Sequence, residues 1–361
     1  MREPFSQSVV KNHPAGRVFD PIQGCSRFLS TLALSAAVLF SSAYSMQVSA
    51  KAEGVAAPAY SIESAAASAG LLLDVTRAGK RLVAVGDRGH ILYSDDEGTQ
   101  WLQARVPTQQ LLTAVYFIDD RYGWAVGHDA LILATRDGGA TWTRQFDDIE
   151  RESPLLDIWF KDRNTGYAVG AYGAFLETTN GGQDWQDIGD RLDNEEGYHL
   201  NAISAVTGAG LFIVGEMGSM FRSTDGGASW ETVDSPYEGS LFGIVSGRKA
   251  DHLIVYGLRG HIFRSTNLGE TWSATEVHTD SGNLQFGLAD GSLLDNGDLL
   301  VVGHGGTILR SVNDGQSFTV FNRADRTSLA GVTSGANGGL ILVGQNGIHR
   351  TDANGNDLLA Q

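Results

Sequence analysis

The stretch that decides the fold is residues 123–142, which read GWAVGHDALILATRDGGATW. Two turn signatures flank one short apolar strand in it. The first, Gly127 to Ala130, is an imperfect copy of a Gly-x-x-Gly turn, and the second is Thr135-x-Asp137-x-Gly139-x-x-Trp142. Both signatures recur along the chain, so the stretch is one unit of an internal repeat, and the period of such a repeat indicates the architecture.

The Gly-x-x-Gly turns are evenly spaced. Their first glycines are Gly86, Gly127, Gly170, Gly215, Gly257, Gly303 and Gly344, separated by 41, 43, 45, 42, 46 and 41 residues. A unit of this length that contains four short strands is typical of one propeller blade. The sequence therefore predicts an all-β fold, a seven-bladed β-propeller of four-stranded blades.

The second signature, Ser/Thr-x-Asp/Asn-x-Gly-x-x-Trp/Phe, is an Asp-box, and it follows each turn after one apolar strand. Its acidic or amide residue and its aromatic residue are Asp96 and Trp101, Asp137 and Trp142, Asn180 and Trp185, Asp225 and Trp230, Asn267 and Trp272, and Asn313 and Phe318. A degenerate copy, residues 351–355, closes the series.

The chemistry of the box predicts a structural role. The Asp or Asn oxygen accepts backbone N–H groups across its own turn, and the hydroxyl of the Ser or Thr ties the two arms of the turn together. The glycine supplies a positive φ, and the aromatic ring is expected to wedge into the apolar layer between neighbouring blades. We therefore interpret the six aromatic residues as packing groups rather than as a binding stripe.

Each unit is predicted to run as strand a, strand b, Gly-x-x-Gly turn, strand c, Asp-box, strand d. The propeller is assigned to residues 71–355, with blades at about 71–110, 111–154, 155–198, 199–240, 241–283, 284–327 and 328–355, followed by a tail at 356–361. The seventh unit ends without an evident strand d. Residues 51–70 are assigned as a linker, and Ala59 to Glu63 within it is a candidate closing strand.

Residues 1–50 have the pattern of a secretory signal peptide. Four basic residues precede a short apolar stretch at 28–40, and Val48-Ser49-Ala50 has the small residues of a cleavage site. The apolar stretch is shorter than the roughly 20 residues that a transmembrane helix needs. An uncleaved N-terminal anchor is the alternative. We expect export to the periplasm, or to the thylakoid lumen if the host is photosynthetic.

Composition narrows the class of protein further. The formal net charge is −16, with 46 glycines, 7 prolines and one cysteine, Cys25, before the apolar stretch. High glycine with low proline favours many tight turns between strands. The acidic balance, without a cluster of Lys and Arg, argues against binding of nucleic acid. The part that follows the signal peptide is predicted to fold without disulfides.

The repeats resemble two groups of propellers. The Asp-boxes resemble the BNR repeats of sialidases, and the chain from about residue 60 to 355 resembles the photosystem II stability/assembly factor family. Residues 123–142 and 166–185 match that family's W-A-V-G-x-x-G-x-I/L-x-x-T-x-D-G-G-x-T-W repeat nearly residue for residue. The resemblance implies an exported, non-catalytic scaffold that assists the assembly or function of a membrane-protein complex.

A sialidase-like glycoside hydrolase, or a glycan-binding propeller, is the alternative. The chain lacks the Phe/Tyr-Arg-Ile-Pro segment that such an enzyme usually carries, and its boxes are regularly spaced. Adjacent carboxylates such as Glu195 and Glu196 are interpreted as solvated surface groups. His128 and His304 follow turn glycines in different blades, and we expect rim histidines rather than a metal site. No cofactor is expected.

The candidate binding residues lie where the repeats differ from one another. These positions are the interiors of the Gly-x-x-Gly turns and the crossings between blades, and loops of this kind carry binding groups in repeat proteins. The candidates are Arg88, His128, Tyr172, Glu216, Met217, Arg259, His304, Arg323 and Arg326. Each is also compatible with an ordinary solvated turn residue.

The expected partner is a membrane-protein client or complex subunit, bound by a monomer. As the family resemblance implies, Arg88 and Arg259 are expected to anchor an acidic or C-terminal segment of that client. A small-molecule ligand is not expected.

Overall fold

The computed structural model describes residues 59–280 and 282–358. The expected signal peptide lies outside the described residues. The described chain forms six four-stranded sheets, one three-stranded sheet and one two-stranded hairpin, all antiparallel. The prediction of an all-β, seven-bladed propeller is confirmed.

The strands follow the chain blade by blade. Blade 1 contains β1 (Leu72–Ala78), β2 (Arg81–Gly86), β3 (Ile91–Ser94) and β4 (Leu102–Gln103). Blade 2 contains β5 (Leu112–Phe117), β6 (Gly123–Gly127), β7 (Ile132–Thr135) and β8 (Thr143–Phe146). Blade 3 contains β9 (Leu155–Phe160), β10 (Gly166–Gly170), β11 (Phe175–Thr178) and β12 (Gln186–Asp187). Blade 4 contains β13 (Leu200–Val206), β14 (Gly210–Gly215), β15 (Met220–Ser223) and β16 (Glu231–Thr232).

Blade 5 contains β17 (Leu241–Ser246), β18 (Leu253–Gly257), β19 (Ile262–Ser265) and β20 (Ser273–Ala274). The hairpin of β21 (His278–Thr279) and β22 (Gly282–Asn283) follows it. Blade 6 contains β23 (Leu288–Leu293), β24 (Leu299–Gly303), β25 (Thr307–Ser311) and β26 (Thr319–Asn322). Blade 7 contains β27 (Leu329–Ser334), β28 (Leu340–Gly344) and β29 (Gly347–Thr351). The helical segments are single 3-10 turns at Ala67–Ala69, Asp87–Gly89, Ile149–Arg151, Ala171–Gly173, Gly189–Arg191, Glu216–Gly218, Leu258–Gly260, His304–Gly306 and Ala336–Gly338.

The first strand of each blade lines the centre of the ring. Each of these strands contacts the first strand of the following blade, in the order β1, β5, β9, β13, β17, β23 and β27. The ring is closed by the contact of β27 with β1. Because the strands of a blade pair in sequence order, successive turns alternate between the two faces of the propeller. One face, here called the box face, carries the Asp-boxes. The other, here called the turn face, carries the Gly-x-x-Gly turns and the crossings between blades.

Seven apolar layers hold neighbouring blades together in the described part of the chain. Each layer combines the buried residues of two adjacent blades, as where Val83 and Val85 of blade 1 pack with Leu133 and Trp142 of blade 2. The layer between blades 7 and 1 joins Ile341 and Val343 to the side chains of β1 to β3. Since a blade alone cannot cover both of its faces, closing the ring buries all of them.

The Asp-boxes share one hydrogen-bond pattern, as their chemistry predicts. In all six complete boxes the Ser or Thr hydroxyl donates to the Asp or Asn oxygen over 2.8–3.1 Å. The same hydroxyl accepts the N–H of the box glycine. The Asp or Asn oxygen also accepts the N–H of the residue four positions on. The boxes are thus self-contained turns.

The expectation that Ala59 to Glu63 closes blade 7 is wrong. Ser61 donates its N–H to Val106, and Gln103 on the outer strand of blade 1 binds Ile62 and Ser64. Blade 7 is completed by the C-terminal residues instead, because Asp352 accepts two backbone N–H groups and turns the chain back along β29. Asp357 then forms a bridge with Thr351, and the Leu358 N–H donates to Arg350.

Candidate functional site

The turn face owes its shape to the Gly-x-x-Gly turns. The first glycine is required because a Cβ on Gly86 would lie 2.2 Å from the Leu71 carbonyl oxygen, which accepts the Asp87 N–H. The last glycine has a left-handed φ of 68° at Gly89, and the imperfect turn places Ala130 in the same region with φ 50°. In blades 1 to 6 the residue before the last position of the turn is also left-handed, with φ between 51° and 66°.

Seven of the nine candidate binding residues are exposed on the turn face. They are Arg88, His128, Tyr172, Met217, Arg259, His304 and Arg326. Arg88, Tyr172, Met217 and Arg259 occupy the same left-handed position in four blades, with φ between 51° and 56°. Arg88 and Arg259 belong to blades 1 and 5, so blades 6 and 7 separate them along the shorter arc of the ring.

The structure brings candidates together between blades 3 and 4. The ring of Tyr172 meets the ring of His199 edge-on, with centroids 4.9 Å apart. The carboxylate of Glu216 accepts the backbone N–H of His199 and lies 3.7 Å from Nδ1 of the His199 ring. Glu216 is half-buried. Glu216 is therefore partly a supporting group, whereas Tyr172 and the neighbouring Met217 remain open to solvent, 71% and 61% exposed.

The prediction that Arg323 binds a partner is wrong. Its side chain is only 3% exposed. The guanidinium donates to both oxygens of Asp325 and of Asp357 and to the Gly355 carbonyl, so it ties the C-terminal segment to the crossing between blades 6 and 7. Arginine suits this position because its planar fork satisfies several oxygens at once.

The sequence reading missed a set of exposed apolar side chains. Of the twelve large ones in the described residues, eight lie on the turn face: Tyr60, Ile62, Leu71, Ile149, Tyr172, Met217, Leu258 and Phe286. Two, Leu293 and Val312, lie on the box face. The signal available in the sequence was the presence of Ile149 and Phe286 in crossings, outside any strand pattern. Repeat proteins place their binding groups in loops on one face, so these side chains make the turn face the candidate interaction surface.

The sequence reading also missed three buried carboxylates around the axis. Asp74, Asp157 and Asp290 each lie at the β-bulge of the first strand of a blade. Each accepts the N–H of the following residue over 2.6–2.8 Å. Each also accepts an N–H of the next blade over 2.8–2.9 Å, from Val115, Ile203 and Val332 respectively. The three carboxylates therefore link blades 1 to 2, 3 to 4 and 6 to 7.

These carboxylates line a central cavity of about 220 Å³ together with Tyr256. Its lining contains no Lys, Arg or His in the described chain. Burial raises the pKa of Asp74 to about 6, of Asp157 to about 7 and of Asp290 to about 8, and mutual repulsion adds to the last two. Burial and the neighbouring carboxylates also hold the pKa of Tyr256 well above its usual range.

The described residues contain no group of three or more His, Cys, Asp or Glu side chains arranged to hold a metal ion. His128 and His304 lie separately on the turn face, and His261 stacks on Tyr237 with ring centroids 4.4 Å apart. No helix within residues 59–280 and 282–358 is long and apolar enough to span a membrane.

The fold is that of a seven-bladed Asp-box propeller, and seven of the candidate binding residues lie exposed on its turn face. The family model described as "Photosynthesis system II assembly factor YCF48" matches residues 95–154 and 144–285, which make up more than half of the chain. The chain therefore belongs to the photosystem II assembly factor YCF48 family.

Curated relatives match over short stretches. The photosystem II stability/assembly factor HCF136 of Cyanidioschyzon merolae is 46% identical over 61 residues, which are 16% of this chain and 14% of that protein. The photosystem II assembly protein Ycf48 of Thermosynechococcus vestitus is 43% identical over 42 residues, 12% of each chain. The matched stretch is thus less than a sixth of the length of either relative.

Solved structures share the fold. YCF48 bound to a D1 peptide superposes with a TM-score of 0.60 at 18% identity, covering 78% of this chain and 92% of that one. YCF48 from Cyanidioschyzon merolae gives 0.60 at 20% identity, with 78% and 95% covered. A streptogramin B lyase gives 0.64 at 16% identity, with 80% and 95% covered. The fold is therefore shared by assembly factors and enzymes.

Proposed function

We propose that this chain is a non-catalytic, exported scaffold that binds a segment of a membrane-protein partner through its turn face. The observation that carries the proposal is the unequal distribution of exposed apolar side chains, eight on the turn face against two on the box face. Aromatic residues, Met and Arg are the groups enriched in protein interfaces, and Tyr172, Met217 and Arg259 occupy equivalent exposed positions there.

The family supports the same function. Its members are photosystem II assembly factors, and one solved YCF48 structure is bound to a D1 peptide. The signal-peptide pattern of residues 1–50 supports a location on the exported side of the membrane, in the periplasm or an equivalent compartment. We propose that this chain acts as a monomer and assists the assembly or stability of a membrane complex.

The central cavity does not favour the hydrolase alternative. Its volume of about 220 Å³ is below the roughly 300–1,000 Å³ of typical small-molecule pockets. Its three carboxylates already bind two backbone N–H groups each. Carboxylates in that state hold the ring together rather than serve as an acid and base for a sugar.

The test is affinity capture from detergent-solubilised membranes of the source organism. We expect the wild-type chain to enrich a membrane protein, and the Arg88→Ala/Arg259→Ala variant to enrich it about 10-fold less, since tenfold corresponds to ~1.4 kcal/mol of binding energy. The matched control is Arg121→Ala/Arg136→Ala, which removes two exposed arginines from the box face.

Equal capture by all three proteins would move the binding site away from Arg88 and Arg259. Absence of any enriched protein, together with turnover of a glycoside substrate, would overturn the scaffold in favour of the enzyme.

A further inference from the structure

A groove runs between blades 3 and 4, whereas Arg88 and Arg259 belong to blades 1 and 5. It consists of two adjoining cavities of about 530 and 440 Å³. Both are bounded by the crossing at residues 193–195 on one side and by Phe221 and Thr232 of blade 4 on the other. We call it the blade 3–4 groove.

The floor of this groove is apolar. Phe221 and Met220 are buried beneath it, and the half-buried ring of Trp230 lines one end. Met217, 61% exposed, lines the other end. Tyr172 is adjacent, because the Tyr172 carbonyl oxygen would lie 3.6 Å from a Cβ on Gly197 of the crossing. An apolar side chain of a partner would therefore find contacts at the two ends of the groove, at Trp230 and at Met217.

The walls of the groove are acidic. Five exposed carboxylates line it: Asp190, Asp193, Glu195, Glu196 and Asp234. None of the five forms an ion pair within the part of the chain that the structure describes. The one cation in the lining, Arg191, lies 2.9 Å from the carboxylate of Glu177, which neutralises it. The groove thus presents five negative charges that no ion pair in the described residues compensates.

The acidic wall is held in place before any partner arrives. The side chain of Asn194 accepts the Tyr198 N–H and donates to the Tyr198 carbonyl, 3.0 Å each. The Asn194 carbonyl also accepts the Gly197 N–H. A preformed site loses less conformational entropy on binding, so the carboxylates at 193, 195 and 196 project from a fixed loop.

We propose that the blade 3–4 groove binds a basic, partly apolar segment of a partner protein, in which Lys or Arg alternates with apolar side chains. The cations would face the five carboxylates, and the apolar side chains would pack against Trp230 and Met217 at the two ends of the groove. This inference deepens the proposed scaffold function and rests on it. Charge complementarity of this kind selects the partner and speeds its association.

The test uses two fluorescein-labelled peptides, KLKFKLK and ELEFELE, titrated with the full chain and followed by fluorescence anisotropy at low salt. We expect KLKFKLK to bind and ELEFELE not to bind. The variant Asp193→Asn/Glu195→Gln/Glu196→Gln should weaken KLKFKLK binding about 10-fold or more. Within residues 59–280 and 282–358 none of these three side chains has a hydrogen bond, so the variant is expected to fold normally.

The matched control removes three exposed carboxylates from the box face, as Asp120→Asn/Asp251→Asn/Asp295→Asn. It should bind KLKFKLK like the wild type. A peptide without apolar side chains, KGKGKGK, should bind at least 10-fold more weakly. Equal weakening by both triple variants would show only attraction to the net charge of the chain and would overturn the proposal, as would equal binding of KLKFKLK and KGKGKGK. Neither result depends on whether membrane capture succeeds, so failure of the groove and failure of the scaffold can be distinguished.

Discussion

Replacing Trp142 with alanine is expected to lower the free energy of unfolding by about 3–5 kcal/mol. Its ring is 4% exposed and packs in the layer between blades 1 and 2. The indole meets the ring of Phe117 edge-on at 6.0 Å, and its Nε1 donates to the Gly139 carbonyl at 2.9 Å. The substitution would leave a cavity that rigid neighbouring strands cannot fill. Chemical denaturation measures the loss.

Trp272→Ala is the matched control because it removes the same residue type from the same box position. Trp272 is only half-buried, and its Nε1 has no hydrogen-bond partner in the described structure. Its loss of stability should be clearly smaller. Unchanged unfolding of Trp142→Ala, accompanied by loss of partner binding, would instead make the box aromatics functional groups.

The stability of the ring is expected to fall as pH rises from about 4 to about 8. The pKa values of Asp74, Asp157 and Asp290 are raised to about 6, 7 and 8 by burial, whereas unfolded Asp titrates near 3.9. Between these values the folded chain holds more protons than the unfolded chain, so raising the pH favours unfolding. Each unit of pKa difference contributes about 1.4 kcal/mol.

The comparison that isolates this effect is the slope of unfolding free energy against pH. Asp290→Asn loses an ionisable group in the cavity, so its slope between pH 4 and 8 should be shallower than that of the wild type. Asp225→Asn should keep the wild-type slope, because hydrogen bonds lower the pKa of Asp225 and asparagine occupies the same box position in three other blades. A wild-type stability that stays flat or rises from pH 4 to 8 would contradict the account of the axial carboxylates.

The repeats were predictable because each turn is encoded locally. The hydroxyl, carboxylate and glycine of a box lie within five residues, so their hydrogen bonds follow from the sequence alone. The structural role of Asp157 could not be predicted in the same way, because the N–H group whose hydrogen bond it accepts belongs to Ile203 in another blade. The strand that lies beside a given β-bulge is determined by the closed ring and not by the local sequence.

The two wrong predictions share a physical cause. Arg323 looked like an exposed turn residue, but its partners Asp325 and Asp357 include one 34 positions further along the chain. The closure of blade 7 depended on the same C-terminal segment, which a degenerate box turns back along β29. Contacts between segments that are distant in the sequence cannot be predicted from a local sequence pattern. The apolar residues of the crossings are evident in the sequence. That they lie on the same face of the propeller follows only from the topology of the folded ring.

Binding through the turn face is tested most sharply by photo-crosslinking from the two faces in cells of the source organism. A photo-reactive residue is placed at Met217 on the turn face or at Val312 on the box face, which are 61% and 64% exposed. We expect a crosslink to a membrane protein from position 217 and none from position 312. A crosslink from position 312 alone, or equal crosslinks from both positions, would contradict binding through the turn face.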